Sequence, residues 1–396
     1  MKPPPGCVLP RPNAVCHLRK SLYGLKQAPR VWFDKFRSMI QAAGFSQSSL
    51  DFSLFLRTSP VGITILLIYV DDIIITGNDP ENITKLKELL HTLFKMKDLG
   101  RLTYFLGLEV LHLPTGIMLT QQKYARDLVT RVGLTDDKVV YTPMEINTKY
   151  KEVDGEPFND PTLYRQLVGS LVYLTMTRPD ISYAVQVLSQ FVVNPYRIHH
   201  TALLRVIQYV RGSMSQGVLF RSDSSIHLEG YTDADWAGSP NSRRSVTGWC
   251  MFLGTSLISW KCKKQSHTSK SSTEAEYRDM SAASSEIVWL RRLLSELSVA
   301  FTSPTVLHVD NTSAIKIATN PVQHENTKHI EVDCHYIREL VIDRLITLQH
   351  IPSHDQLADL FTKAMTRARH QYLISKLLLC DHRYQLRRML GKAIIV

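Results

Sequence analysis

Two adjacent aspartates, Asp71 and Asp72, stand between two strand-like runs, ITILLIYV before them and IIITG after. One reading is a hairpin turn. Tight two-residue turns favour Asn-Gly or Asp-Gly, because φ is positive at both positions. Two neighbouring carboxylates also repel, and nothing basic sits beside them in sequence. The other reading is a divalent-cation site. Hard cations such as Mg²⁺ take oxygen ligands and keep several waters, which suits carboxylates at a strand end. A second set of acidic residues lies further on: Asp233 ends IHLEGYTD, Glu276 sits in SKSSTEAEYRDM, Asp310 ends TVLHVD, and Asp359 lies in HDQLADLFTKA.

Each of these four has an ordinary alternative. Asp233, with Asp235 nearby, serves equally well to start a turn. Asp235 shares the face of Asp233 if the strand continues, and turns away if it ends. Glu276 heads a helical stripe formed with Met280, Ala283, Ile287, Leu290 and Leu294, and a carboxylate there is costly unless paired or bound to a cation. A capping box with Thr273 competes, but Ser271 and Glu274 can do that job and leave Glu276 free. Asp310 precedes the helical run NTSAIKIA and could cap it. Asp359 falls early in a helix with Leu357, Leu360, Phe361 and Ala364 on its apolar positions, and could complement the helix dipole. Together, a strand-end Asp, a helix Glu, a strand-end Asp and a helix Asp can converge on one edge of a twisted sheet. Four carboxylates there repel unless cations neutralise them. Such a set suits a two-metal phosphodiesterase, in which one ion activates a water and the other stabilises the leaving 3′ oxygen.

The elements that must position these groups follow from periodicity. Residues 30–43 and the run TKLKELLHTLFKM read as helices, and TYFLGLEVLHL alternates as a strand pair does. From about 120 to 215 the pattern is almost wholly helical, broken by the polar linker TPMEINTKYKEVDGEPFNDP. Three helical stripes follow: Tyr164, Leu167, Val168 and Leu171; then Ile181, Ala184, Val185 and Leu188, starting at Pro179; then Leu203, Leu204, Ile207 and Val210, ended by Gly212. From about 226 to 366 the order is strands, helix, strand, helix, strand, helix, an α/β pattern with helices covering a sheet. The fold class is therefore mixed α/β (α+β). A tail from about 367 carries Arg367, Arg369, Arg383, Arg387, Arg388 and Lys392.

Composition narrows the class. The chain of 396 residues has 47 Lys plus Arg against 36 Asp plus Glu, a net charge of +11 that favours a polyanionic partner. With 44% hydrophobic residues it is neither disordered nor collagenous. The most apolar stretch, from Val61, is split by Asp71 and Asp72 before it reaches the roughly 20 residues of a membrane span. MKPPPGCVLPRP lacks the apolar core of a signal peptide, so an intracellular protein, in cytoplasm or nucleus, is expected rather than a secreted one. Six cysteines without a CxxC pair argue against a disulfide scaffold or a zinc site.

Three blocks then carry a resemblance. LLIYVDDIIITG (66–77) is similar to the catalytic hairpin of reverse transcriptases. SLYGLKQAPRVWFDKF (21–36) and LFKMKDLGRLTYFLGLEV (93–110) resemble the signature block and the palm-to-thumb segment of copia-type long-terminal-repeat retrotransposons. The C-terminal region resembles the ribonuclease H domain of the same polyproteins, with GYTDADWAGSPNSRRSVTGWCMFLG (230–254), SWKCKKQSHTSKSSTEAEY (259–277), LHVDNTSAI (307–315), KHIEVDCHYIRE (328–339) and HIPSHDQLADLFTKAM (350–365) in family order.

The resemblance implies a partial reverse-transcriptase palm over 1–113, a mainly helical thumb and connection over 114–225, a ribonuclease H-like domain over 226–366 and a basic tail over 367–396. It implies Asp71 and Asp72 as metal ligands, and Gly24, Lys26 and Gln27 near template and incoming nucleotide. It implies Asp233, Glu276, Asp310 and Asp359 as catalytic metal ligands for Mg²⁺ or Mn²⁺. His354 would be an auxiliary proton shuttle, or else a surface histidine. Lys261, Lys263, Lys264 and Lys270 either contact phosphates or blunt a solvated edge. Four further histidines, His324, His329, His335 and His350, are spaced unlike a zinc site, and KHIEVDCHY reads as a helix packed on the sheet. The partners implied are an RNA–DNA hybrid, read by shape and 2′-OH, a single-stranded RNA or DNA template, and a full-length Pol protein. The family takes a further palm aspartate from upstream of SLYGLKQAP, whereas Met1 to Lys20 hold no Asp or Glu. The chain alone is thus expected not to extend a primer, and to retain metal-dependent cleavage of RNA in hybrids. The alternatives are a folded but inert nucleic-acid-binding remnant and a misfolded pseudogene product.

Overall fold

The structure is a computed structural model and describes residues 3, 5–7, 11, 14–17, 24–70, 72–134, 138–320 and 330–381. The chain divides into two compact units, Met1–Gly100 with Arg292–Val299, and Arg101–Arg291 with Ala300–Val396.

In the first unit, α1 (Ala28–Ala42) has a proline in its first turn, where the missing N–H is not needed, and buries Phe36 and Ile40. Four antiparallel strands follow, β1 (Ser46–Gln47), β2 (Leu54–Thr58), β3 (Ile63–Tyr69) and β4 (Asp72–Gly77), in sheet order β1-β2-β3-β4. Helix α2 (Pro80–Phe94) begins earlier than the run TKLKELLHTLFKM suggests. Asp79 caps it by accepting from the Asn82 N–H at 3.0 Å, and Pro80 supplies a pre-set φ. Phe45, Phe55, Leu66, Ile68, Leu86 and Leu90 close the core over α1.

The second unit opens with β5 (Tyr104–Phe105), β6 (Leu108–Leu113) and β7 (Gly116–Thr120), then α3 (Gln122–Val132), α4 (Pro161–Leu174), a 3₁₀ turn at Pro179–Ile181, α5 (Ser182–Ser189), α6 (Arg197–Arg211) and β8 (Gln216–Arg221). Residues of all three sequence stripes bury together, Tyr164, Leu171, Ile181, Leu188, Leu203 and Ile207 among them. Next come β9 (Leu228–Ala234), β10 (Val246–Leu253), β11 (Ser256–Lys264), α7 (Ser272–Glu296), β12 (Thr305–Val309), α8 (Thr312–Thr319), α9 (Glu331–Ile342) and β13 (Ile346–His350). A 3₁₀ turn at Leu357–Phe361, α10 (Arg367–Lys376) and β14 (Leu379–Asp381) complete the described residues.

Two five-stranded sheets result. One, of order β14-β8-β7-β6-β5, is antiparallel throughout. The other has the order β11-β10-β9-β12-β13, antiparallel among β9, β10 and β11 and parallel among β9, β12 and β13. On one face of this mixed sheet Tyr277, Met280, Ala283 and Ile287 of α7 meet Trp249, Met251 and Leu307, and Cys334 and Ile337 of α9 join them. On the other face Leu360, Phe361, Leu373 and Leu377 cover Cys250 and Phe252.

Three expectations change. The boundary at 113 falls inside the β6–β7 hairpin, whose pairing of Leu113 with Gly116 continues the sheet across it. Residues 367–381 are not a basic extension: Leu373, Leu377 and Leu379, interleaved with the basic residues, are buried, and β14 pairs with β8. Asp359 lies on a five-residue 3₁₀ turn rather than an α-helix, so no extended helix dipole is present for it to complement. Residues 382–396, with the rest of that tail, lie outside the described residues. No described helix is long and apolar enough to cross a membrane.

Candidate metal centre

Asp233 is the penultimate residue of β9, with Gly248 of β10 directly opposite. A Cβ on Gly248 would lie 2.5 Å from Thr362 Cγ2 and 2.8 Å from Phe361 Cβ, so only glycine lets the 3₁₀ turn lie this close to the sheet beside Asp233. Glu276 enters from the first turns of α7. Ser271 Oγ accepts from the Glu274 N–H at 3.1 Å, and Glu274 accepts from the Lys270 N–H at 2.7 Å. Capping is thereby satisfied without Glu276, whose Oε2 accepts from the Ala234 N–H at 3.2 Å. Asp310 follows β12. Asn311, not Asp310, caps α8 by accepting from the Ala314 N–H at 3.0 Å, and Asp310 accepts from Ser353 Oγ at 3.0 Å.

Asp233, Glu276 and Asp310 each offer an oxygen within 4.8 Å of the others. Burial raises the pKa of Glu276 strongly, and the charges of Asp233, Asp279 and Asp310 add to it. Burial also raises Asp233, where Lys363 works the other way. Asp359 is held differently. Its Oδ1 accepts from Lys363 Nζ at 2.7 Å and its Oδ2 from Arg369 at 3.0 Å, while the same Lys363 reaches Asp233 at 3.2 Å. The structure thus gathers three of the four carboxylates and links the fourth to them through an ammonium.

Asp235 leaves the set. The strand ends at Ala234, Asp235 turns to accept from the Val246 N–H, and burial raises its pKa to about 6. His354 is exposed and pairs with its neighbour Asp355 at 2.9 Å. Lys261 and Lys263 lie exposed on edge strand β11, and the register puts them on the sheet face opposite the Asp233 side chain. Lys264 donates to Gln190 at 2.8 Å. Lys270 is exposed ahead of α7. Gly24, with φ of 88°, and the exposed Lys26 and Gln27 form the turn into α1. Asp72 is exposed at the start of β4 and pairs with Tyr69 of β3. Val70 takes a φ of 55° there, a strained value for a β-branched residue. Asp71, His324 and His329 lie outside the described residues.

Sequence reasoning missed several groups around the centre. Asp279, fully buried, accepts from Thr232 Oγ1 at 2.7 Å. Thr362 donates to Asp233, and Gln356 ties the 3₁₀ segment to the Thr232 carbonyl at 2.9 Å. The available signals were spacings: Glu276 and Asp279 three apart on one helix, Asp359 and Lys363 four apart.

A family model described as reverse transcriptase (RNA-dependent DNA polymerase) matches residues 1–146. Over 378 residues, 95% of this chain, the sequence is 44% identical to the retrovirus-related Pol polyprotein from transposon RE1 of Arabidopsis thaliana. It is 32% identical over 291 residues to the putative transposon Ty5-1 protein YCL074W of Saccharomyces cerevisiae, covering 72% of this chain and 94% of that protein. The chain belongs to the copia-type retrotransposon Pol polyproteins. This Pol chain spans 26% of the length of RE1 and of its Arabidopsis relative RE2. Among solved structures it is similar to the N-terminal RNase H domain of rv2228c from Mycobacterium tuberculosis, at 11% identity and a TM-score of 0.26, over 38% of this chain and 98% of that one. It is also similar to the foamy viral protease-reverse transcriptase in complex with RNA/DNA hybrid, at 13% identity and a TM-score of 0.43, over 84% of this chain and 39% of that one.

The donor set of the Pol chain fits a divalent cation. Its oxygens are hard, three converge within 4.8 Å, and two of the three carboxylates are buried where only added positive charge favours their ionised form.

Proposed function

We propose that the C-terminal part of this chain cleaves the RNA strand of RNA–DNA hybrids, with Asp233, Glu276, Asp310 and Asp359 as the groups that hold Mg²⁺ or Mn²⁺. The observation that carries this reading is the convergence of Asp233, Glu276 and Asp310 at the end of a sheet of order β11-β10-β9-β12-β13. When bound, such ions activate a water and stabilise the charge that develops on the leaving oxygen. The chain's own residues prepare the site. The Ala234 N–H fixes Glu276, Ser353 orients Asp310, and Thr362 orients Asp233. The same reading gives Asp71 and Asp72 the cation-binding role at the first unit's hairpin. It treats 226–366 as the nuclease part and the α3–α6 region as its connection, and places the substrate in the nucleic-acid class through family membership.

The test is cleavage of a labelled RNA strand in an RNA–DNA hybrid with Mg²⁺, with wild type beside Asp310→Asn and Glu276→Gln. We expect wild-type cleavage and a loss of at least about 100-fold in either variant, the range seen when one group stabilising developing charge is removed. A soluble, folded wild type that leaves the hybrid intact would make the chain an inert nucleic-acid-binding relic.

A further inference from the structure

Lys363 is where the centre departs from four equivalent carboxylates. It follows Thr362, which donates to Asp233, and stands four residues after Asp359, two residues beyond the end of the 3₁₀ turn at Phe361. Its ammonium is 2.7 Å from Asp359 Oδ1 and 3.2 Å from Asp233 Oδ1. The opposite oxygen of Asp359 is held separately by Arg369 at 3.0 Å. The two carboxylates are almost wholly shielded from solvent, at 1% and 13% side-chain exposure, while Lys363 keeps 44%. A half-exposed lysine can carry its ammonium toward solvent while the shielded carboxylates stay in place.

We infer that Lys363 is the resident counter-ion of the Asp233–Asp359 pair, holding the place between them that a divalent ion takes over when it binds. The inference rests on the metal-centre reading above and extends it. Two shielded carboxylates facing each other need positive charge. An ammonium supplies one unit of it with three donors, and a divalent ion supplies twice the charge. In this arrangement Asp233, Glu276 and Asp310 receive a cation while Lys363 still covers the other edge. Further cation binding at Asp359 moves the lysine outward. A purely structural ion pair would make the same contacts but would be indifferent to divalent ions.

The experiment is thermal unfolding of the whole chain in EDTA and in excess MnCl₂, following the transition of the second unit. Wild type, Lys363→Met, Lys363→Gln and Asp310→Asn are compared. Lys363→Met should unfold about 2–4 °C below wild type in EDTA, the shift that a loss of about 1 kcal/mol gives a domain of this size class. Mn²⁺ should restore most of that loss. Lys363→Gln, which keeps donors in place of charge, should behave in the same way and guards against misfolding of the Met variant. An equal deficit with and without Mn²⁺, or no deficit in EDTA, overturns the counter-ion role. A wild type that Mn²⁺ does not stabilise, or whose stabilisation survives Asp310→Asn, overturns the metal centre itself and this inference with it.

Discussion

Away from the carboxylate cluster, the most consequential buried charges in the second unit are Arg178 and Asp180. Arg178 donates to both oxygens of Asp180 at 2.9 and 2.7 Å and to Ser213, and Tyr209 donates to the same aspartate at 2.6 Å. Burial disfavours the charge on Asp180, but Arg178 and the Tyr209 hydroxyl overcome it and hold its pKa below the ordinary value. Removing one partner leaves the other uncompensated, so Arg178→Met should cost about 3–5 kcal/mol in urea unfolding. Arg178→Met with Asp180→Leu should cost less than Arg178→Met alone. His370 stacks edge-on against Tyr209, and burial lowers its pKa, with Asp180 raising it and Arg178 lowering it further. A histidine depressed in the folded state contributes fully above its unfolded pKa of about 6.5 and loses that contribution as pH falls below it. Asp180 adds an acid loss only at lower pH, from the ordinary carboxylate pKa downward. Unfolding measured at pH 7.5, 6.5 and 5.5 should therefore show, against the common and opposite background of the raised carboxylates Asp233, Asp235, Glu276 and Asp279, an acid-dependent loss in wild type that His370→Phe reduces. His199 and His200, also depressed by burial, keep part of it. An unchanged slope in His370→Phe would sink the assignment. None of this was legible in sequence, because an Arg-Pro-Asp tripeptide after a helix gives no sign of being buried.

At the scale of elements, the 3₁₀ turn at Leu357–Phe361 decides the geometry of the centre, and Gly248 decides where the turn sits. With Thr362 Cγ2 and Phe361 Cβ at 2.5 and 2.8 Å from a would-be Cβ, Gly248→Ala must push the turn off β10. Overpacking of this kind costs about 1–3 kcal/mol. It also carries Thr362, Lys363 and Asp359 away from Asp233, so hybrid cleavage should fall by more than about 10-fold even under conditions where the variant is fully folded. Wild-type turnover in a stable Gly248→Ala protein would show that the turn's position is not critical. The strand-end place of Asp233, the helix place of Glu276 and the place of Asp310 before α8 could be read from local periodicity, whereas their common role came from the family resemblance. Asp359 was legible as a residue but not in its surroundings. A separation of four residues from Lys363 fits a helix as well as a 3₁₀ turn with a following bend, and Arg369 meets it only because α10 folds back. The glycine opposite Asp233 is invisible without the β9–β10 register.

At the scale of the molecule, the question is whether the C-terminal α/β part stands alone at 226. The sequence pattern changes there from helical to α/β, which is why a boundary was expected, but the packing continues across it. Val218 of β8 is buried with Cys250, Phe252, Leu257, Leu373 and Leu379, and Leu379 pairs with Val218 in the antiparallel sheet. Trp260 Nε1 donates to the Thr175 carbonyl at 3.2 Å, and Lys264 to Gln190 at 2.8 Å. Residues 217 and 380 pair across so long a stretch of chain that no local signal reports them. A fragment of 226–366 would expose the Cys250–Phe252 face of its sheet and lose both the covering α10 and the pairing of β14, so it should aggregate or unfold. In the first unit and just after it, by contrast, residues 95–101 form no helix or strand and are mostly exposed, with Lys95, Lys97 and Arg101 available to trypsin. Limited trypsin digestion of the whole chain should therefore cut first in that segment. It should leave a resistant fragment that starts near Arg101 and runs past Leu379, because the connection helices, both sheets and α10 share buried surface and unfold together. A resistant fragment that begins near 226 would mean the opposite: that the shared core contributes little, and that the C-terminal α/β part is a domain in its own right.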